Sequence, residues 1–258
     1  MAAPKAPVTI VTGASRGIGR AVASALVGDG HRLVLVARGE AALQRAADEL
    51  QQDGGEVATF VADLGTEGAV EDVVAATERH FGPPDVVINN AGTAPSGKVE
   101  DTTPGMAQQA LDLHVAAPLA FARRTAAAMK ARGHGCLLHL ASTAGLRGYP
   151  YTSAYTAAKH GMVGLARALH AELSGKGVDV YAVCPGFVDS DITRGAAAAL
   201  ADKGHTTAEA ALEQMGRQNR IGRMHTCEEV AAAVARLLRE RPNGCVYELD
   251  REPAAFLD

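Results

Sequence analysis

An apolar, β-branched run, Val8–Thr12, passes without a break into Thr12-Gly13-Ala14-Ser15-Arg16-Gly17-Ile18-Gly19. No other stretch restricts the fold as strongly. Ile18, Ala21, Val22, Ala25 and Leu26 then recur on one face at helical spacing until Gly28 and Gly30 end the pattern. A strand, a glycine-rich turn and a helix in that order bring free helix N–H groups and the positive end of a helix dipole to the turn. That arrangement suits a phosphate. A plain tight turn fits the same residues taken alone; the place of this one, strand before and helix after, favours the phosphate.

Further short apolar runs follow at Leu33–Ala37, Val57–Val61, Val86–Ile88, Cys136–Leu140, Val178–Val183 and Cys245–Leu249, with helix-period segments between them. Strands apolar on both faces and alternating with helices imply a parallel sheet covered on both sides. The expected fold class is α/β, a single Rossmann-type doubly wound parallel sheet of about seven strands, with right-handed crossovers. The 258 residues are expected to form one domain spanning 1–258. A net charge of -4 gives no reason to expect a nucleic-acid or anionic-membrane surface. No run is long enough for a spanning helix, and the start, Met-Ala-Ala-Pro-Lys-Ala-Pro, lacks the apolar stretch of a signal peptide. Cys136, Cys184, Cys227 and Cys245 are widely spaced, so a reducing cytoplasm is expected and a disulfide scaffold is not. The histidines show no metal-ligand spacing, and no metal site is expected; His134 and His139 read as a loop residue and a strand residue.

The tip of the second strand bears on the cofactor. A site for the ribose 2′-hydroxyl of NAD usually places an acid there. Here the residues are Val36-Ala37-Arg38-Gly39. Arg38, with Arg16 in the turn, can pair a 2′-phosphate, so NADPH/NADP+ is the expected cofactor; two solvated surface arginines are the plainer alternative.

Taken together the motifs resemble those of the short-chain dehydrogenase/reductase family over about residues 8–250, in particular its 3-oxoacyl-thioester and polyketide ketone reductases. The turn matches Thr-Gly-x-x-x-Gly-x-Gly, so the resemblance implies cofactor contacts at Gly13, Ser15, Arg16, Gly17, Ile18 and Gly19. Asp63-Leu64 resembles the pair at the adenine, and Asn89-Asn90-Ala91-Gly92 the Asn-Asn-Ala-Gly beside the cofactor. Pro185-Gly186, with Val188 and Ser190, resembles the segment that holds the nicotinamide carboxamide. Ser142 stands thirteen residues before Tyr155, and Tyr155-x-x-x-Lys159 is the catalytic signature. The resemblance also places a substrate lid at about 190–225, with a helix expected over Thr207–Met215.

Tyr155 and Lys159 are four apart on an expected helix and share a face. A free tyrosine has a pKa of about 10, and a nearby ammonium is expected to lower it. Ser142 can hydrogen-bond the substrate oxygen, and Tyr155 can supply the proton as hydride reaches a carbonyl carbon. The resemblance gives Lys159 a second contact, to the nicotinamide ribose. One catalytic position departs from the family: Asp112-Leu113-His114-Val115 carries His114 where members have an Asn that braces a helix kink and holds a relay water. His114 can join that relay through its two nitrogens, or be a packed helix residue.

The expected activity is NADP-dependent reduction of a ketone, a 3-oxoacyl thioester or a cyclic or aryl ketone, within class EC 1.1.1.-. The alternatives are an NAD-linked alcohol dehydrogenase and a non-catalytic cofactor-binding homologue. Leu146, Tyr149, Pro150 and Tyr151 are candidates to line an apolar pocket. The expected partners are a small-molecule substrate and further copies of the chain, as a homodimer or homotetramer joined by helices at about 104–131 and 153–174. The short end, Arg241-Pro242-Asn243-Gly244 into the last strand and then Asp250-Arg251-Glu252, weakens the case for the tetramer.

Overall fold

In the computed structural model, which describes residues 6–202, 204 and 206–258, seven parallel strands form the centre. They are β1 (Val8–Thr12), β2 (Arg32–Ala37), β3 (Val57–Val61), β4 (Val86–Asn89), β5 (Gly135–Leu140), β6 (Val178–Cys184) and β7 (Val246–Glu248). The order is β3-β2-β1-β4-β5-β6-β7, with an eighth strand, β8 (Ala255–Phe256), antiparallel on β7. β8 adds one strand to the seven expected; two residues carry no periodicity by which to read it. Residues 1–5, part of the segment read as lacking a leader, lie outside the described residues, as do 203 and 205 of the expected lid.

Alternate strand residues enter opposite cores. Val11, Leu33, Leu35 and Leu138 pack beneath α1 (Gly17–Gly28), α2 (Glu40–Gln52) and the helix later in the chain at Cys227–Glu240. Ile10, Val34, Val36 and Leu137 face α3 (Ala69–His80), α5 (Ala117–Arg132) and α6 (Ser153–Leu173). Burial on both faces explains why the strands read as unbroken apolar runs. Each fully buried Leu or Val contributes roughly 1.5–3 kcal/mol by its removal from water.

On the side of α5 and α6, α4 (Pro104–Leu111) packs on α6 and continues through a π-helical turn, Asp112–Ala116, into α5. After β6 the chain makes α7 (Asp191–Asp202) and α8 (Ala208–Gln218), which pack on each other, and then α9 (Cys227–Glu240). The excursion is pinched at its base. Val188 and His225 form a parallel bridge, with Asp189 N–H donating to His225 O (2.8 Å) and His225 N–H to Phe187 O (3.0 Å). Among the described residues no helix is long and apolar enough to cross a membrane.

Candidate active site

Strand order reverses direction at β1, between β2 on one side and β4 on the other. Crevices at the carboxyl ends of strands form at such a switch point. Here it is a groove of about 420 Å³, lined by the glycine turn, Arg38, Asp63-Leu64, Asn90-Ala91-Gly92 and Ser190. α1 starts there with neither a capping side-chain bond nor an acidic residue in its first turn, so its N–H groups are open to an anion.

The turn is held from below by Thr12, which opens the motif without an assigned contact, and by Asn90-Ala91 of the Asn-Asn-Ala-Gly segment. Thr12 Oγ1 donates to Ile88 O (3.1 Å) and accepts from Asn90 N–H and Ala91 N–H (both 2.9 Å). Asn90 Nδ2 donates to Thr12 O (2.8 Å) and Gly13 O (3.2 Å). This bracing leaves no room at Gly19, where a Cβ would lie 2.3 Å from Gly13 O and 2.5 Å from Asn90 Nδ2. Thr12 had a readable signal: a hydroxyl buried at the tip of an apolar strand must find partners.

The two candidate phosphate-pairing arginines rim the groove and are mostly exposed. Arg16 Nη1 lies 3.2 Å from Asp191 Oδ2, and Arg38 Nη1 3.7 Å from Asp63 Oδ2. Such exposed pairs are worth about 0–1 kcal/mol, so a doubly charged phosphate can compete for either guanidinium. Gly19, Pro185, Gly186 and Val188 lie outside the lining of this groove. Val188 is buried in the core beneath the pinched base.

Ser142, Tyr155 and Lys159 meet at the carboxyl end of β5 and the first turns of α6. Ser142 Oγ caps the short turn that follows it, accepting from Ala144 N–H at 3.1 Å, and it stands near enough to Tyr155 to pull its phenol downward. The Lys159 Nζ lies 5.7 Å from the centroid of the Tyr155 ring and donates to Leu140 O at 2.6 Å. Burial lowers the Lys159 pKa to about 7. Burial also raises the Tyr155 phenol, against a smaller opposing pull from Ser142. The expected lowering of the phenol by Lys159 is therefore corrected. Both groups lose water, and the lysine charge is itself disfavoured where it was to act.

His114 projects from the π-helical turn and is 1% exposed. Its ring stands edge to face with Tyr155 at 5.8 Å and packs on Gly92, where a Cβ would lie 2.5 Å from Cε1. Because Thr93 O accepts from Nε2 (2.8 Å), the proton sits on Nε2 and Nδ1 is a bare lone pair, buried and unpartnered. Burial first, then the Lys159 charge, lowers its pKa to about 3. A π-helical turn thus stands, with histidine, at the position where family members brace a kink with Asn. A second buried imidazole, His139 on β5, pairs with Asn89 Nδ2 at 3.3 Å, and its pKa falls to about 4.

Of the candidate pocket residues, Leu146 packs on the core, while Tyr151 is 67% exposed and left-handed (φ 64°), its carbonyl accepting from Gly97 N–H at 2.8 Å. Tyr149 turns its ring edge to Phe187, with centroids 5.9 Å apart.

Comparison with known proteins agrees with this geometry. A family model described as short chain dehydrogenase matches residues 7–201. The Streptomyces coelicolor protein named "Putative ketoacyl reductase" is 33% identical over 92% of this chain and 92% of its own. A solved structure of an actinorhodin polyketide ketoreductase variant with NADPH superposes with a TM-score of 0.89 at 31% identity, covering 96% of this chain and 97% of that one. The Gluconobacter frateurii L-sorbose reductase, solved with NADPH and L-sorbose, gives 0.88 at 27% identity, covering 95% of both chains.

Proposed function

The chain belongs to the short-chain dehydrogenase family, and on that premise we propose that it is an NADPH-dependent ketone reductase in which Tyr155 protonates the carbonyl oxygen. The observation that carries the reading is the meeting of Ser142, Tyr155 and Lys159 beside a groove with an uncapped helix N-terminus and two rim arginines.

The cofactor fits this groove. The cradle at Gly13 and Gly19 admits no side chain, and the open N–H groups of α1 suit a pyrophosphate. Arg16 and Arg38 would hold the 2′-phosphate, Asp63-Leu64 and Asn90-Ala91-Gly92 would border the adenine and ribose, and Pro185-Gly186 with Val188 and Ser190 would hold the carboxamide. When bound, NADPH supplies the hydride.

The protein's own residues handle the oxygen. Ser142 orients it and stabilises its developing charge. Tyr155 enters protonated, since burial raises its phenol, and gives up that proton. Charged Lys159 stabilises the resulting phenolate. The bare Nδ1 of His114 supports a part for that residue in returning the proton.

The substrate class is a 3-oxoacyl thioester or a cyclic or aryl ketone, received under the α7–α8 excursion acting as a lid. Subunit contacts run through α4, α5 and α6, where Leu111 and Leu119 are exposed; a homodimer or homotetramer follows. Four free cysteines suit a reducing cytoplasm.

The test is NADPH oxidation over acetoacetyl thioesters, bicyclic ketones and aryl diketones, each repeated with NADH and with Tyr155→Phe. Turnover with NADPH, weak turnover with NADH, and its loss in Tyr155→Phe with NADPH affinity kept are expected. A variant holding most of its rate would remove Tyr155 from the chemistry.

A further inference from the structure

The C-terminal end of β7 carries a carboxylate that the proton chemistry does not use. Asp250 is fully buried. Its Oδ1 accepts from Arg220 N–H at 2.9 Å and its Oδ2 from Arg147 Nη2 at 3.2 Å. Arg220 ends the α7–α8 excursion, and its guanidinium also reaches Glu248 at 3.3 Å. Arg147 stands in the loop after Ser142. One buried carboxylate thus ties together two segments 73 positions apart in sequence, from 147 to 220.

Followed outward, these bonds close on themselves. Arg147 Nε donates to Tyr149 Oη (2.9 Å), which leaves the Tyr149 proton to reach Thr143 Oγ1 (2.8 Å). Thr143 N–H donates to Pro185 O at 2.9 Å. Two residues on, Phe187 N–H donates to Asn219 Oδ1 (2.7 Å), and Asn219 Nδ2 donates back to Phe187 O (2.9 Å). Asn219 precedes Arg220, which returns to Asp250. Gly186 is wedged inside, where a Cβ would lie 2.3 Å from Asn219 Oδ1 and 2.9 Å from Asp250 Cγ.

We propose that Asp250 is a positioning residue that closes this ring of hydrogen bonds, and that the ring sets the separation between Ser142, the neighbour of Thr143, and the Pro185-Gly186 segment. The inference deepens the reductase reading and rests on it, since Ser142 is taken to face the substrate oxygen and Pro185-Gly186 the nicotinamide. Those two must be held in register for hydride and proton to reach one carbonyl, and a misplacement of about 1 Å costs about 10²-fold in rate. Four segments far apart in sequence share that duty: the loop after Ser142, the end of β6, the end of α8 and the end of β7. Cofactor binding at Pro185-Gly186 is thereby felt at 143–149.

Two variants test this: Asp250→Asn, which opposes an amide to the Arg147 guanidinium, and Tyr149→Phe, which removes one oxygen and keeps the packing on Phe187. In ketone reduction each is expected to lose about tenfold in kcat, within that same bound. The double variant is expected to lose no more than either single, because a ring opened twice is still one open ring. A readout without turnover is amide hydrogen exchange on adding NADP+. The unaltered protein should gain protection at 185–190 and at 143–149, and both variants only at 185–190. Coupled protection in a protein that turns over no ketone would support the ring and count against the reductase reading. Losses that multiply in the double variant, or protection of both segments in Tyr149→Phe, would overturn the proposal, whether or not Asp250→Asn folds.

Discussion

Buried against Leu140 O, the Lys159 ammonium has lost its hydration, and its pKa of about 7 puts its charge change at neutrality. On the proposed reading, the charge present below that pH supports the phenolate left by Tyr155, and above it that support is gone. The kcat/KM for ketone reduction should therefore fall as pH rises through about 7, and a profile flat across neutrality would take Lys159 out of the proton chemistry. At the groove rim, Arg38→Asp sets a like charge against the 2′-phosphate. NADPH efficiency should fall by about tenfold, or ~1.4 kcal/mol, with NADH unaffected; equal NADPH efficiency would end the pairing role. Tyr155 and Lys159 were readable as a pair because helix geometry ties position i to i+4, while Ser142, off the helix, was readable only through the family resemblance. Their protonation was not, because it depends on burial that only the packed helices create.

At the scale of the elements, α9 shows how a helix start is written locally. Thr226 Oγ1 accepts from Glu229 N–H at 3.1 Å while Glu229 Oε2 accepts from Thr226 N–H at 2.9 Å, a reciprocal capping box. Thr226→Ala should lower unfolding free energy by about 1 kcal/mol in denaturant titration. No change would mean that packing of α9 on α1 alone sets that end. The strands were legible because burial on both faces leaves an apolar run with no polar interruption. The π-helical turn at Asp112–Ala116 was not, since one extra residue in a turn leaves the surrounding apolar spacing almost intact. Its effect is local: it carries His114 to Gly92 and Tyr155.

For the whole molecule, two imidazoles that stay neutral when folded make stability depend on acid. His114 and His139 have folded pKa values of about 3 and about 4, against about 6.5 in the unfolded chain. Between those limits the unfolded state binds the extra protons, so stability is full above about 6.5 and drains as pH falls. Near pH 5, about one proton per histidine is taken up on unfolding, and His114→Asn should reduce the slope of unfolding free energy against pH by about 1.4 kcal/mol per pH unit. An unchanged slope would place the acid sensitivity elsewhere. The α7–α8 excursion has a consequence of another kind. It departs from and rejoins the body at the bridge between Val188 and His225 and is tied back by Asn219 and Arg220, so the length and content of what lies between can change without disturbing the register of a central strand. The molecule is divided into a fixed engine and an exchangeable mouthpiece. A segment grafted between those two residues that keeps Ser190-Asp191 and Asn219-Arg220 is expected to alter which ketones are admitted while the groove and the Ser142, Tyr155 and Lys159 cluster stay as they are.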